Sequence, residues 1–359
     1  MSLRAKRSHP DRAKRGADPP RLLRFARNAR GANDAGVNDA GVNDAGVWAR
    51  TPGLRIWDSA WTLLVLANLF WAGNIVLGRA VAGVVPPVAL AYWRWTGAFF
   101  VAVGFAWPHL KKDFPTLLRH WRMMVLLSAT GIATYNTLSY LSLGSTTALN
   151  VLLLQSAGPL IIILWAFALF RERPTVWQAA GVAVSLAGVA TIAAHGSLET
   201  LLALRLNRGD VWILIAMVIY GIYAAMFRRR PPTHPMSFLV AAMGIGSMMI
   251  LPFYLWEMAA GARIQGGAPA WAAMAYMAVF PSFIAYLFFN RGIELIGAGR
   301  AGQSWHLMPL FGSVLAVVFL GEAFRPYHAA GIALIGAGIL LASVKPAPVP
   351  QPVADPNRS

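Results

Sequence analysis

Length, composition and charge already exclude the usual classes of soluble protein. The chain has 359 residues, of which 57% are hydrophobic and only 13% are charged, whereas a soluble domain carries about 25% charged residues. Many apolar runs approach or exceed the roughly 18 residues expected of a membrane-spanning helix. The absence of cysteine excludes disulfides, thiol nucleophiles and Cys-ligated metals. We predict an all-α polytopic membrane protein, because continuous apolar runs without alternation disfavour a β-barrel.

The N-terminal tail, residues 1–57, concentrates positive charge. The net charge is +17, and 12 of the 31 Lys and Arg residues lie within residues 1–58. Residues 33–47 repeat Asn-Asp-Ala-Gly-Val three times, a composition that cannot bury enough apolar area to offset ordering entropy. We predict a disordered, cytoplasmic tail that is attracted to anionic lipid and is not a signal peptide. No nucleic-acid partner is expected, because neither aromatic interleaving nor a folded reader accompanies the basic residues.

Ten apolar segments follow the tail. They are expected near residues 60–78, 87–107, 123–143, 148–170, 175–194, 210–227, 236–256, 271–290, 301–320 and 326–344. A polar link at 195–209 separates the first five segments from the last five, and a solvated tail occupies 345–359. The predicted organisation is therefore a first repeat at 58–194 and a second repeat at 210–344.

A stretch typical of a helical hairpin occurs once in each half. Residues 159–188 and 309–338 align without a gap at an offset of 150, with 10 identities in 30 positions. In each copy a Pro opens an apolar run, an acidic residue ends it, and a glycine-rich run follows. The positions that define this structural repeat motif are Pro159, Glu172, Gly181 and Gly188, and their partners Pro309, Glu322, Gly331 and Gly338. A duplicated hairpin implies a duplicated fold, and we expect each Glu to cap the helix that follows it.

Loop charge predicts the orientation of the ten segments. With the N-terminus inside, the loops and C-terminal tail on that side hold 13 Lys and Arg residues, and the opposite side holds five. The loop between the second and third segments contributes Lys111, Lys112, Arg119 and Arg122. This bias favours both termini in the cytoplasm. Because five is odd, the second half then enters from the opposite face, which is the inverted repeat typical of secondary transporters.

Short motifs along the chain form a pattern found in a known family. The Pro-led runs end in Arg171-Glu172-Arg173 and Gly321-Glu322, and they are accompanied by Phe70-Trp71-Ala72-Gly73-Asn74, Tyr92-Trp93-Arg94-Trp95 and the Tyr220 region. Together these motifs resemble the paired EamA domains of the drug/metabolite transporter superfamily, over about residues 58–344. Arg171 departs from the pattern, which has Gly there. The resemblance implies ten helices in two inverted five-helix repeats, cytoplasmic termini, and export or exchange of small metabolites.

The resemblance also implies that the first, third, fourth, sixth, eighth and ninth segments face a central cavity. Polar and aromatic residues deep in a span are costly unless they have a role or a partner. The candidate substrate-binding residues on these segments are Trp71, Asn74, Tyr135, Asn136, Ser139, Gln155, Tyr220, Tyr223, Tyr286, Gln303, Trp305 and His306. They predict an aromatic-walled, amide-lined pocket for an amphipathic substrate such as an amino acid. Alternatively, the Tyr and Trp residues form interfacial belts, and the Ser and Asn residues bond between helices.

Two residues have two interpretations each. Arg94, in the second segment, joins the candidate set because it could recognise a carboxylate or phosphate. Alternatively it snorkels to the interface or pairs with a loop acid, and we favour that second interpretation. His306 could titrate in a proton-coupled cycle or contact an anionic substrate group. Its alternative role is a single hydrogen bond across the bundle.

These features predict a secondary transporter of a bacterial inner membrane that exports small, amino-acid-like metabolites by alternating access. No G-x-x-x-x-G-K-[ST] occurs, so the chain is not expected to hydrolyse ATP, and no cofactor, metal or enzymatic activity is expected. The expected partners are a small-molecule substrate and the lipid bilayer, with the chain a monomer or homodimer. One alternative is a transport-inactive regulatory or scaffold protein. Another is an intramembrane lipid-modifying enzyme, for which Ser156 and His306 are the nearest approach to a nucleophile and base.

Overall fold

The computed structural model describes residues 56–171, 174–197, 199, 207–297, 301 and 304–342, which belong to one compact unit. Every regular element among them is a helix, and the described part contains no β-strand. Six helices are long and apolar enough to cross a membrane, or seven if one bent pair counts as a single crossing. This agrees with the predicted all-α membrane class. The predicted disordered tail up to residue 55, the C-terminal tail, Glu172 and Gln303 lie outside the described residues.

The helices recur with the spacing of the sequence repeat. The first half contains α1 (Ala60–Ala80), α2 (Pro87–Arg119), α3 (Trp121–Ser128), α4 (Tyr135–Leu143), α5 (Ala148–Gln155), α6 (Gly158–Phe170) and α7 (Val176–Ala193). The second half contains α8 (Arg208–Met226), α9 (Pro235–Ala259), α10 (Gly267–Val279), α11 (Ala285–Ile296), α12 (Leu307–Leu320) and α13 (Pro326–Ala342). Two π-helical turns, π1 (Ala129–Thr134) and π2 (Phe280–Ile284), join α3 to α4 and α10 to α11. Short 3₁₀ turns cover Phe227–Arg229 and Ser304–His306.

The second segment is longer than predicted. The sequence predicts that it ends near Trp107 and that a basic loop follows, but α2 continues through Pro108 and Pro115 to Arg119. Lys111 and Lys112 are exposed on this extension, so the helix continues without burying their charge. The prediction of a loop after Trp107 is therefore wrong. The charged residues end the apolar run there, but they do not end the helix.

The fourth segment is broken, although the sequence predicts one continuous span at 148–170. The axes of α5 and α6 differ by 43° at the break. Pro159 lies in the first turn of α6, where it lacks the N–H that would continue the helix. Near the break, Ser156 Oγ donates a hydrogen bond to the Leu153 carbonyl oxygen at 2.5 Å. The repeated Pro thus marks a bend, a recognised cause of kinks in membrane helices.

Four glycines of the repeat motif meet where α7 crosses α13. A Cβ added to Gly181 would collide with the Gly338 backbone, and one added to Gly188 would collide with the Gly331 backbone. A Cβ added to Gly338 would collide with the Gly181 carbonyl oxygen and with Ser185, and one added to Gly331 would collide with the Ile192 side chain. Small residues let helix backbones approach closely, which drives helix association in lipid. Gly181 on α7 meets Gly338 on α13, and Gly188, further along α7, meets Gly331, which comes earlier on α13. These two equivalent helices are therefore antiparallel.

A second equivalent pair, α2 and α9, is held at both ends by carboxylates. The Glu257 carboxylate, near the end of α9, accepts hydrogen bonds from the backbone N–H groups of Val88 at 3.2 Å and Ala89 at 2.8 Å. The Asp113 carboxylate, towards the end of α2, accepts one from His234 N–H at 2.9 Å. A carboxylate at a helix N-terminus satisfies unpaired N–H groups and complements the helix dipole. The reciprocal arrangement shows that α2 and α9 are also antiparallel.

The repeat-motif acid Glu322 caps a different helix from the one predicted. Its carboxylate accepts hydrogen bonds from Ala148 N–H at 2.8 Å and Leu149 N–H at 2.9 Å, at the start of α5 in the other half. The helix that follows Glu322 is capped by His328, whose Nδ1 accepts the Arg325 N–H at 3.0 Å. The expectation of local capping is therefore wrong for Glu322, because tertiary packing places a distant helix start within closer reach.

We expect Glu322→Ala to lower the free energy of unfolding by about 1–2 kcal/mol, because two N–H groups at the start of α5 lose their acceptor. The measurement is thermal unfolding of the purified protein in detergent. Glu294→Ala is the matched control, since the Glu294 side chain is 60% exposed and its only salt bridge among the described residues is to Arg291, three residues earlier. Equal stability of both variants would contradict a capping role for Glu322.

Candidate functional site

An aromatic cluster joins the two halves near the middle of α1. The centroid of the Trp71 ring lies 5.4 Å from that of Tyr286, 5.3 Å from that of Phe289 and 5.8 Å from that of Trp305. Trp71 Nε1 also donates a hydrogen bond to the Pro281 carbonyl oxygen at 2.9 Å. A first-half tryptophan is thus surrounded by residues of α11, π2 and the turn before α12.

Three tyrosines extend the cluster towards α4 and α8. The ring centroids of Tyr135 and Tyr220 are 4.7 Å apart, and those of Tyr220 and Tyr223 are 5.5 Å apart. Tyr220 also approaches Trp305 at 6.4 Å, which connects these rings to the cluster around Trp71. Gln155 Nε2 donates to the Tyr135 hydroxyl at 3.1 Å. The tyrosine rings are only half-buried, and aromatic rings with a polar tip suit a surface that is apolar in part and hydrated in part.

Arg94 is buried at the centre of a polar network. Only 4% of the residue is exposed. Its Nε donates to Ser282 Oγ at 2.6 Å, and its Nη1 donates to Asn136 Oδ1 and to the Tyr140 hydroxyl, both at 2.8 Å. The interpretation that Arg94 snorkels or pairs with a loop acid is therefore wrong: all its hydrogen-bond acceptors in the described chain are uncharged. Its position eight residues into α2 is too deep for the side chain to reach either end.

Two partners of Arg94 lie in or directly beside the π turns: Ser282 belongs to π2, and Asn136 lies in the first turn of α4, just after π1. Asn136 Nδ2 donates to the Gly131 and Ile132 carbonyl oxygens at 3.1 and 3.0 Å and so ties together π1. Pro281 cannot donate to the carbonyl four residues before it, and Ser282 Oγ donates to that Met277 oxygen at 2.8 Å. Arg94 therefore links α4 of the first half to π2 of the second. Single π turns inside α-helices are frequent at functional sites.

The network continues to α1 through Tyr140. The Tyr140 hydroxyl accepts from Arg94 and donates to Asn74 Oδ1 at 2.8 Å. Ser139, by contrast, donates to its own helix at the Tyr135 carbonyl oxygen, at 2.8 Å. Asn74 is thus held in the polar network, whereas the Ser139 hydroxyl donates no hydrogen bond to another helix in the described part of the chain.

The structure brings most of the predicted residues into two adjoining groups. The aromatic group contains Trp71, Tyr135, Gln155, Tyr220, Tyr223, Tyr286 and Trp305, and the polar group contains Asn74, Arg94 and Asn136. Gln303 and the side chain of His306 lie outside the described residues and stay predictions.

Sequence reasoning missed three polar side chains of this region. Tyr140 lies four residues after Asn136 and could have been found from helical spacing. Asn68 lies three residues before Trp71 on the same face, and its Nδ2 donates to Ser304 Oγ at 3.0 Å. Ser282 carries no comparable signal, because a π turn shifts the helical face in a way that sequence spacing does not reveal.

A separate polar cluster joins the halves at the start of α8. Asp210 is fully buried and accepts hydrogen bonds from Thr146 Oγ1 at 2.5 Å and Asn150 Nδ2 at 3.3 Å. His195 Nε2 lies 3.6 Å from the carboxylate, and His328 Nε2 lies 3.0 Å from Asn150 Oδ1. No three metal-ligating side chains converge here or elsewhere in the described part. The cluster is a junction between α5, α7, α8 and α13.

Known proteins with similar sequences are transporters. The EamA-like transporter family matches residues 59–194 and again residues 207–344. The uncharacterized transporter YyaM of Bacillus subtilis is 25% identical over 79% of this chain and 93% of its own length. A probable terminal-alkyne amino-acid exporter of Streptantibioticus cattleyicolor is 29% identical over 80% of this chain and 92% of its own.

A solved crystal structure has a similar fold. Its TM-score is 0.54 at 21% identity, and the match covers 79% of this chain and 97% of the other. The two matched segments account for most of the chain, and the apolar helices place it in a lipid bilayer. The chain is an integral membrane protein that belongs to the EamA-like transporter family.

Proposed function

We propose that the chain is a secondary transporter that exports small, amino-acid-like metabolites by alternating access. Its working parts are two inverted five-helix repeats, at residues 58–194 and 210–344. The two antiparallel pairs of equivalent helices, α7 with α13 and α2 with α9, support this inversion. In such transporters the substrate site lies where the repeats meet, near the middle of the bilayer.

In the proposed count of ten spans, some spans consist of two consecutive helices and others are single short helices. The chain is helical without interruption from Trp121 to Leu143 across π1, which is long enough for one span. The bent pair α5 and α6 forms another, and the shorter apolar helices α12 and α13 supply the ninth and tenth. The proposed membrane is a bacterial inner membrane, and the excess of basic residues in the loops on one side supports a cytoplasmic location for both termini.

One observation carries the proposal: the aromatic cluster is built across the two halves. Trp71 and Tyr135 come from the first half, and Tyr286, Tyr220 and Trp305 come from the second. A rocking motion of the halves would separate these rings towards one side of the membrane and bring them together towards the other side. Their half-buried surfaces suit the apolar body of a small amphipathic metabolite. The amino-acid exporter among the relatives supports the same substrate class.

The enzyme alternative loses support at Ser156. Its hydroxyl donates to the Leu153 carbonyl oxygen, whereas a nucleophilic serine needs a base within hydrogen-bonding distance of its hydroxyl. The scaffold alternative differs from the proposal in a measurable way, because a scaffold shows no shift in thermal stability across a panel of metabolites.

The test is counterflow of radiolabelled amino acids in proteoliposomes. We expect Trp71→Ala to reduce flux by about tenfold, because one ring at the junction contacts three others and their stacking contributes roughly 0.5–1.5 kcal/mol each. Trp61→Ala is the matched control, since Trp61 lies on the same helix and is 53% exposed. Flux in Trp71→Ala equal to that of the control, with a transported amino acid, would contradict the site. No flux of any amino acid in the wild type would contradict the substrate class.

A further inference from the structure

Arg94 carries a buried charge that the described chain does not neutralise. Its residue exposure is 4%, and its hydrogen-bond acceptors are a serine hydroxyl, an amide oxygen and a tyrosine hydroxyl. No described carboxylate forms a salt bridge with it. Moving a guanidinium out of water is strongly unfavourable unless an anion compensates it. The Trp95 ring, whose centroid lies 4.6 Å from Arg94 Cζ, gives a cation–π contact but supplies no negative charge.

The guanidinium also has unused donors. Of its five N–H groups, Nε–H is bonded to Ser282, and the two of Nη1 are bonded to Asn136 and Tyr140. The two N–H groups of Nη2 have no acceptor in the described chain. Nη2 is nevertheless not completely buried. One edge of the guanidinium is thus fixed by the protein, while the donors of Nη2 have no acceptor among the described residues.

The hydrogen-bond network of Arg94 adjoins the aromatic cluster. Trp71 bonds to the carbonyl of Pro281, and Arg94 bonds to the hydroxyl of the next residue, Ser282. Asn136, whose amide oxygen accepts from Arg94, directly follows Tyr135, whose ring belongs to the same cluster. A ligand that reached Nη2 would therefore place its remaining atoms near the aromatic rings.

We propose that Arg94 Nη2 binds the carboxylate of the transported compound, so that the substrates are carboxylates with an apolar body. This inference rests on the proposed transport function. A single cation balances a monoanion, whereas a phosphate monoester carries about −1.5 to −2 charges and would leave an uncompensated excess. Arg forms directional pairs with carboxylates through its planar fork. Ser282, Asn136 and Tyr140 hold that fork in one orientation.

The first test needs no variant. The purified full-length chain in nanodiscs is titrated with 3-phenylpropionate and with its uncharged isostere 3-phenylpropionamide, and binding is read from ligand-induced thermal shifts. We expect the carboxylate to bind about tenfold more tightly or better, because a charge-assisted pair replaces a neutral one. Equal affinity for the two probes would overturn the inference. So would a lack of binding by every member of a series of aromatic and aliphatic monocarboxylates.

The second test uses Arg94 itself. Arg94→Gln should remove the preference for the carboxylate over the amide, and Arg94→Lys should restore part of it, because the charge returns without the fork. Arg291→Gln is the control, since that arginine pairs with Glu294 near the end of α11. A preference that persists in Arg94→Gln would overturn the inference. If Arg94→Gln does not fold, the comparison of the two probes on the wild type decides alone.

Failure of this inference is distinguishable from failure of the transport function. Proteoliposomes that transport neutral or cationic compounds but no carboxylates would overturn the role of Arg94 and leave a transporter. Carboxylate binding that depends on Arg94, without counterflow of the bound compound, would support the site and contradict transport.

Discussion

Gly338→Val should leave little folded protein, because the valine side chain would occupy the space of the neighbouring backbone. A Cβ at position 338 collides with the carbonyl oxygen of Gly181 and with Ser185. The obstacle is mostly backbone, which cannot move aside as the end of a flexible side chain can. Forcing extra carbons into a packed contact costs about 1–3 kcal/mol, and separating α7 from α13 adds the loss of their close packing. We expect a destabilisation of at least about 3 kcal/mol.

The measurement is the fraction of monodisperse protein after extraction, together with its thermal midpoint. Gly336→Val is a matched control on the same helix, because a Cβ there meets nothing within 4 Å. Both substitutions carry the same cost in helix propensity, so the difference between them isolates the contact. Similar yields and midpoints would contradict the close crossing of α7 and α13.

Asp210→Ala should lower the free energy of unfolding by about 2–3 kcal/mol. The carboxylate is fully buried, and its removal leaves the Thr146 hydroxyl and the Asn150 amide without their acceptor. Buried groups that lose a partner cost about 1–3 kcal/mol each, although repacking offsets part of this. His195 Nε2 also loses the carboxylate that lies 3.6 Å from it.

Thermal unfolding in detergent measures this effect, and Asp58→Ala supplies the control because Asp58 is exposed just before α1. If Asp210→Ala lowered the thermal stability no more than the control does, the cluster would not hold the halves together. Asp210→Asn should be intermediate, since one oxygen acceptor is retained.

The general architecture could be predicted from the sequence because its signals are local or repeated. Apolar runs identify helices, and the offset between Pro159 and Pro309 recurs in the spacing of α6 and α12. The glycines of the repeat motif were visible as a pattern. Their partners were not, because pairing Gly181 with Gly338 depends on how the second half folds back.

The site was predictable in its composition but not in its connections. Tyrosines and tryptophans deep in spans, such as Trp71 and Tyr220, stand out by their cost in lipid. The role of Arg94 was misjudged because its partners lie 42, 46 and 188 residues away and depend on two π turns. A π turn leaves no clear mark on hydrophobic spacing, so Ser282 could not be found in advance.

Alternating access requires that a site between the two halves opens in turn to each side of the membrane. The wild-type chain contains no cysteine, so a single thiol can be introduced at Gln155, which contacts the tyrosine wall. Membrane-impermeant thiol reagents are then added to either face of oriented vesicles, with Lys111→Cys, exposed on α2, as the control for a one-sided position. We predict that the Gln155→Cys thiol is labelled from both faces and is protected by a transported carboxylate. Labelling from one face only, or from neither, would contradict alternating access at this site.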